Sequence, residues 1–281
     1  HLSRGLGDVY KRQVVRYLAS PSLNANGPHT SDPRSGEIIE SDINWYHNVM
    51  KLLRNWLFVQ TAAVNPDARK TEFKNEVMGE LIRFISSHEV GHTLGLPHNF
   101  GSSSAYPVDS LRSATFTKKY GTAPSIMDYA RFNYVAQPGD EGVALIPSDW
   151  ETPNVGVYDI YSIMWGYKPI LDTEAFDEKK VLNQWITERA DDLMFRFGSS
   201  SIDPSSQTED LGNDAIKASN YGIANLKRIV PNLIEWTTED GENYEELQYL
   251  YGQVLSQFRR YLGHVSTNVG GVYQYYKTSD Q

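Results

Sequence analysis

Cysteine is missing from all 281 residues. Disulfides, thiolate catalysis and cysteine-ligated zinc are therefore excluded. The compartment is left open, because many secreted bacterial proteins also lack cysteine. No apolar run approaches the ~20 residues of a membrane span. Positive charge is in short supply too, with 26 Lys and Arg against 35 Asp and Glu and a net charge of −9. No basic stretch stands out to neutralise phosphates, so neither nucleic acid nor an anionic membrane surface is an expected partner. What is present suits a globular chain, since 40% hydrophobic residues, with aromatics among them, suffice for a core.

The length fits one large domain or two ordinary ones. The chain opens on "HLSRGLGDVYKRQ" rather than on Met. Residues 1–13 are accordingly expected to be a non-native leader and the remainder a piece of a longer polypeptide with further domains. "VVRYLA" (14–19) reads as a strand. A polar loop follows, with a turn at Pro33 and Gly36. In "EIIESDINW" the residues Ile39, Ser41, Ile43 and Trp45 share one face while Glu40, Asp42 and Asn44 share the other. That alternation predicts a half-buried strand with one wet face, as an edge strand would have. A helix is predicted over 46–63, and a second begins near the Asn65-Pro66 cap and runs into His88, with Phe73, Val77, Leu81 and Ile85 recurring every four residues. Residues 99–155 read as loop. Helices are then expected at about 156–166, 174–196, 211–236 and 243–262.

The chain spends three of its seven histidines in "HEVGHTLGLPHNF" (88–100). On a helix, His88 and His92 are one turn apart on the same face and can grip a single ion. Glu89 projects beside that ion, where a base acting on water belongs. Gly95 permits a sharp turn with positive φ, which returns His98 as a third ligand. Three nitrogens with a fourth position open describe a catalytic zinc site rather than a structural one. Chance coincidence of these five positions in a chain of this length is on the order of a few in a hundred thousand.

The spacing H-E-x-x-H-x-x-G-x-x-H is the metzincin signature. The chain resembles the metzincin zinc endopeptidases, and more closely the Met-zincin domain of large bacterial zinc-dependent metalloproteases, over about residues 14–281. The resemblance implies a methionine turn beneath the ligands. "SIM" occurs at 125–127 and again at 162–164. The first lies in a loop and the second at helical spacing, so Met127 is assigned to the turn and Met164 to core packing. In related families the tyrosine two places further on, here Tyr129, ligates the metal or hydrogen-bonds the tetrahedral intermediate; a purely packing role stays open beside this. The resemblance also implies that substrate binds in extended form along an edge strand, for which Ile38, Ile39, Glu40, Ser41 and Asp42 are the candidates.

The fold expected is thus an α/β metzincin-like catalytic part over 14–150, incomplete at its N-terminus, with a twisted sheet and an active-site helix. A mainly α-helical C-terminal region covers 151–281. The function implied is peptide-bond hydrolysis by a zinc-bound water, with one Zn2+ ion on His88, His92 and His98, Glu89 as general base, and a protein or peptide as substrate. An extracytoplasmic location goes with it. Two alternatives stay open: a zinc amidase on a non-protein substrate, and a non-catalytic binding module that kept the fold. His29, His47 and His264 are read as ordinary surface or packing residues.

Overall fold

A computed structural model describes residues 13–147, 156–171, 173–199 and 202–276. The first 12 residues, most of the expected leader, lie outside the described residues, and Gln13 already belongs to a strand.

Four strands form a mixed sheet: β1 (Gln13–Leu18), β2 (Ala25–Asn26), β3 (His29–Ser31) and β4 (Ile38–Tyr46). The predicted alternation is present in β4, where Ser41, Ile43 and Trp45 are buried. On its other face Asp42 pairs with Arg16, and the Asn44 amide donates to the Asn26 side chain at 2.9 Å. The edge position expected for Ile38–Asp42 is overturned at Ser41 and Asp42; at Ile38–Glu40 the one strand partner among the described residues is β3, so β4 is central from Ser41 on. It pairs in parallel with β1 from Gln13↔Ser41 to Leu18↔Tyr46, and antiparallel with β2 and β3 on its opposite side. Side-chain alternation reports which face of a strand is wet, whereas edge status depends on backbone partners, and the two are independent. Among the described residues, the antiparallel edge is the segment 25–31, within the stretch expected to be loop.

Two helices cross beneath the sheet. In α1 (Val49–Thr61) the positions Val49, Leu53 and Leu57, four apart, are buried. In α2 (Asn75–Thr93) Leu81, Phe84, Ile85 and His88 line one stripe. Helix α2 starts later than expected, since Pro66–Ala68 forms only a short 3-10 turn capped by the Asn65 side chain. The stretch 99–147 is mostly irregular yet densely buried, and holds one short helix, α3 (Ala114–Tyr120).

Beyond residue 156 the described elements are helical: α4 (Val157–Tyr167), α5 (Ala175–Thr187), α6 (Ala215–Ile229), α7 (Leu233–Thr237) and α8 (Glu245–Ser266). Helix α5 ends before the expected 196, with a 3-10 turn at Leu193–Phe195 beyond it. Buried residues of α6 and α8, among them Leu226, Ile229, Val254 and Tyr261, join one core with Leu53, Leu81 and Phe132. Across that core the Asn225 amide donates to the carbonyls of Tyr134 and Ala136 at 3.0 and 2.8 Å. Tyr261 packs against Tyr134 in a tilted arrangement with ring centroids 4.8 Å apart. The helical part therefore supports the irregular segment that carries the site's floor. Met164 is only half-buried on α4, short of the core position expected for it. Among the described residues no helix is long and apolar enough to cross a membrane.

Candidate metal centre

Helix α2 ends in a Schellman motif, and this one turn sets the geometry of the site. The Gly95 N–H donates to the His92 carbonyl at 2.9 Å and the Leu96 N–H to the Gly91 carbonyl at 3.0 Å. Gly95 sits at φ +85°, a conformation that a side chain would strain. The chain doubles back and brings His98 up to the two helical histidines. One ligating nitrogen from each of His88, His92 and His98 lies within 4.8 Å of the others. The Nε2 atoms of His88 and His98 are 3.2 Å apart and those of His92 and His98 3.0 Å.

The opposite ring nitrogens account for this convergence. His88 Nδ1 donates to the Ile126 carbonyl at 2.7 Å and His92 Nδ1 to the Leu96 carbonyl at 2.9 Å. A carbonyl can only accept, so the proton of each neutral ring sits on Nδ1 and a lone pair is left on Nε2. Burial first, with lesser contributions from neighbouring cations, holds the His88 ring neutral and pushes its pKa down to about 3. The same effect takes His98 to about 4. Neutral imidazoles with converging lone pairs are what a cation requires. Zinc–nitrogen bonds of ~2.0–2.1 Å at tetrahedral angles would place ligand nitrogens about 3.3 Å apart. The donor set fits zinc.

Glu89 is 6% exposed, and its Oε2 has no hydrogen-bond partner. Burial pushes its pKa up to about 7, against a smaller opposing effect of the Gly27 N–H. Gly27 belongs to the antiparallel edge, and a Cβ there would run into the Glu89 carbonyl oxygen. From the same edge, His29 Nδ1 lies 3.0 Å from the His92 carbonyl oxygen. Gly27 and His29 thus place the sheet edge directly against the ligand helix. Nothing in their own spacing announces this, and only the pairing of two very short strands puts them there.

Beneath the ligands runs the turn at 125–129. Met127 is 1% exposed, and its sulfur fills the space that a Cβ on Gly91 would need. Gly91, midway between Glu89 and Thr93 on α2, is therefore what lets the methionine approach. Tyr129 packs its ring 4.4 Å from the His98 ring and 5.2 Å from that of His88. Phe100 stacks on His98 at 5.1 Å and also meets Tyr129, with centroids 5.5 Å apart, so the three rings form one cluster. Two residues on, the Arg131 guanidinium lies 4.8 Å from the Tyr129 ring centroid and 3.3 Å from that of Trp56. It pairs with Glu209 at 2.7 Å, and Glu209 in turn pairs with Arg260 at 3.0 Å. Arg131 and Glu209 both adopt positive φ, at 42° and 67°.

The expected residues thus fall into two groups. His88, Glu89, His92, Gly95, His98, Met127 and Tyr129 gather around one point. Of Ile38–Asp42, only Ile38 reaches the site, against the turn at Gly95. Ile39 and Glu40 are exposed, Ser41 donates to the Pro28 carbonyl, and Asp42 is paired with Arg16.

A buried methionine under a helix whose histidines converge in this way is the arrangement of a metzincin. The chain belongs to the Met-zincin family, whose profile matches residues 70–281, and this makes it a zinc-metallopeptidase-like domain. No curated protein and no solved structure matches the chain.

Proposed function

We propose that the chain is a zinc-dependent endopeptidase, with His88, His92 and His98 as the metal ligands and Glu89 as the general base. The observation that carries this reading is the convergence of three neutral imidazoles beside a buried carboxyl whose second oxygen is free. Zinc held there would supply a Lewis acid that polarises the scissile carbonyl and lowers the pKa of water toward ~7. Glu89 takes the proton of the attacking water and returns it to the leaving amine. Burial raises its pKa in the metal-free protein, and a bound cation would draw it back down, toward the ionised form that a base needs. Tyr129, whose ring packs beside His98, would hydrogen-bond the oxyanion.

The substrate would lie in extended form along the edge at 25–31, replacing the earlier candidates Ile38–Asp42. Support for this comes from β4 having partners on both sides from Ser41 on and from Gly27 and His29 touching the ligand helix. Backbone pairing to that edge supplies affinity independent of side chains, as a protein substrate requires. In line with the family, the setting proposed is extracytoplasmic and the chain part of a larger assembly of domains.

Glu89→Gln tests the mechanism. Zinc content should be unchanged, while kcat on a protein substrate falls by about 10²–10⁴-fold. Retained turnover would refute the assignment of the base. A wild-type protein that holds zinc, cleaves a small amide and leaves an unbiased peptide library intact would favour an amidase.

A further inference from the structure

We infer that Asp159, at the start of α4, is a positioning residue for the metal ligand His88, acting through the Ser125 hydroxyl and the peptide group that joins Ile126 to Met127. This rests on the zinc reading above. Asp159 is 3% exposed and lies well beyond Tyr129 in sequence, yet in space its carboxylate is closed around the turn at 125–127. Ser125 Oγ donates to its Oδ1 at 2.6 Å, and the Ile126 and Gly156 N–H groups donate to its Oδ2 at 2.8 and 3.0 Å. Ser125 Oγ also accepts from the Met127 N–H at 3.0 Å. The carbonyl of the residue so held, Ile126, is the acceptor for His88 Nδ1.

The chain of contacts therefore runs carboxylate, serine hydroxyl, peptide, imidazole. A ligating histidine commonly donates its far nitrogen to a carboxylate or carbonyl, which fixes the ring and raises its basicity. Here the carbonyl is itself fixed, because the N–H of its own peptide group, that of Met127, donates to the Ser125 hydroxyl, which is committed to the Asp159 carboxylate. Three donors on that carboxylate, none of them from a charged side chain, hold the turn that carries this peptide. Helix α4 has no other fully buried residue. A carboxylate buried on an otherwise half-exposed helix is costly unless its hydrogen bonds are made. At Asp159 all the donors named belong to the turn below the metal or to the entry of its own helix.

The test is metal affinity in Asp159→Asn, which keeps the volume but turns an NH2 group toward donors. Zinc affinity by chelator competition should fall about tenfold, the lower end of the range for outer partners of a ligand. The visible spectrum of the cobalt-substituted protein should change with it. Asp177→Asn, on exposed α5, should leave both unaltered. If Asp159→Asn lowers the melting temperature of the metal-free form while zinc affinity and the cobalt spectrum stay at wild-type values, Asp159 is merely structural and the inference is overturned. Should the variant fail to fold, hydrogen exchange on the wild type decides. Coupling is reciprocal, so zinc must slow exchange of the Met127 amide, and an unchanged rate overturns the inference. A wild-type protein that takes up no zinc would refute the proposed function itself, an outcome distinct from either of these.

Discussion

The floor of the metal centre and the α4–α5 arm sit side by side and are built on opposite terms. From Gly121 to Asp128 the floor is buried without interruption, and Ser125, Ile126 and Met127 are tied to Asp159 and to one another by hydrogen bonds. The arm has no buried residue in α5 and one, Asp159, in α4. Its large apolar side chains face outward, with Phe176 95% and Leu171 78% exposed. Yet the arm reaches the site through Asp159, through the Tyr158 N–H, which donates to the Pro124 carbonyl at 3.1 Å, and through the Tyr167 hydroxyl, which donates to the Leu94 carbonyl at 2.8 Å. Stability resides in the floor; the arm contributes contacts at a few points and leaves its outer face free.

The sharpest way to break this contrast is Arg131→Met in the floor. It removes one partner of a buried carboxylate, Glu209, and unfolding free energy should drop by about 3 kcal/mol or more in urea titration. A loss under about 1 kcal/mol would mean that Arg260 alone satisfies Glu209.

Next comes the pH dependence of the metal-free protein. Glu89 has its pKa raised from 4.5 to about 7 on folding. Between those values the folded state holds a proton that the unfolded state releases, so stability falls as pH rises through this window. Glu89→Gln removes that cost. The metal-free variant should match the wild-type trend below pH 4 and exceed wild-type stability above pH 7 by up to about 3 kcal/mol. Equal stability of the two proteins at pH 8 would contradict the burial of this carboxyl.

A smaller effect is expected from Gly91→Ala. The new methyl group meets the Met127 sulfur, and overpacking of about 1–3 kcal/mol outweighs a helix-propensity gain of up to ~1 kcal/mol. In a Met127→Ala background the same change should turn neutral or stabilising. Thermal melts of the four proteins in the cycle would show it.

Smallest of all, Phe176→Ser and Leu171→Ser on the arm should stay within about 0.5 kcal/mol of wild type. A loss above ~2 kcal/mol would show that the arm is covered in solution and would erase the contrast.

The reach of sequence reasoning follows the same division. His88, His92, Gly95 and His98 were legible because helical period and one glycine turn fix their relation locally. Met127 was separable from Met164 by its loop context. Three things needed the folded chain. The pairing of β2 and β3 escaped, since strands of two and three residues are too short to carry a period. The alternation described the faces correctly from Ser41 to Trp45 but not at Ile39, which is 40% exposed, and it carried no information on edges. Asp159 and the Arg131–Glu209 pair bind partners 33 and 78 residues away, through contacts that leave no local pattern.

The contact between Gly91 and Met127 also restricts how a lineage carrying it can change. With glycine in place the methionine can shorten, at the cost of a void. Only after that can position 91 acquire a side chain, because the opposite order drives a methyl group into an occupied space. The two positions are therefore expected to vary together among descendants of a common ancestor, and to do so in one order. A residue inside the HExxH helix and a residue in a distant loop would be inherited as one unit.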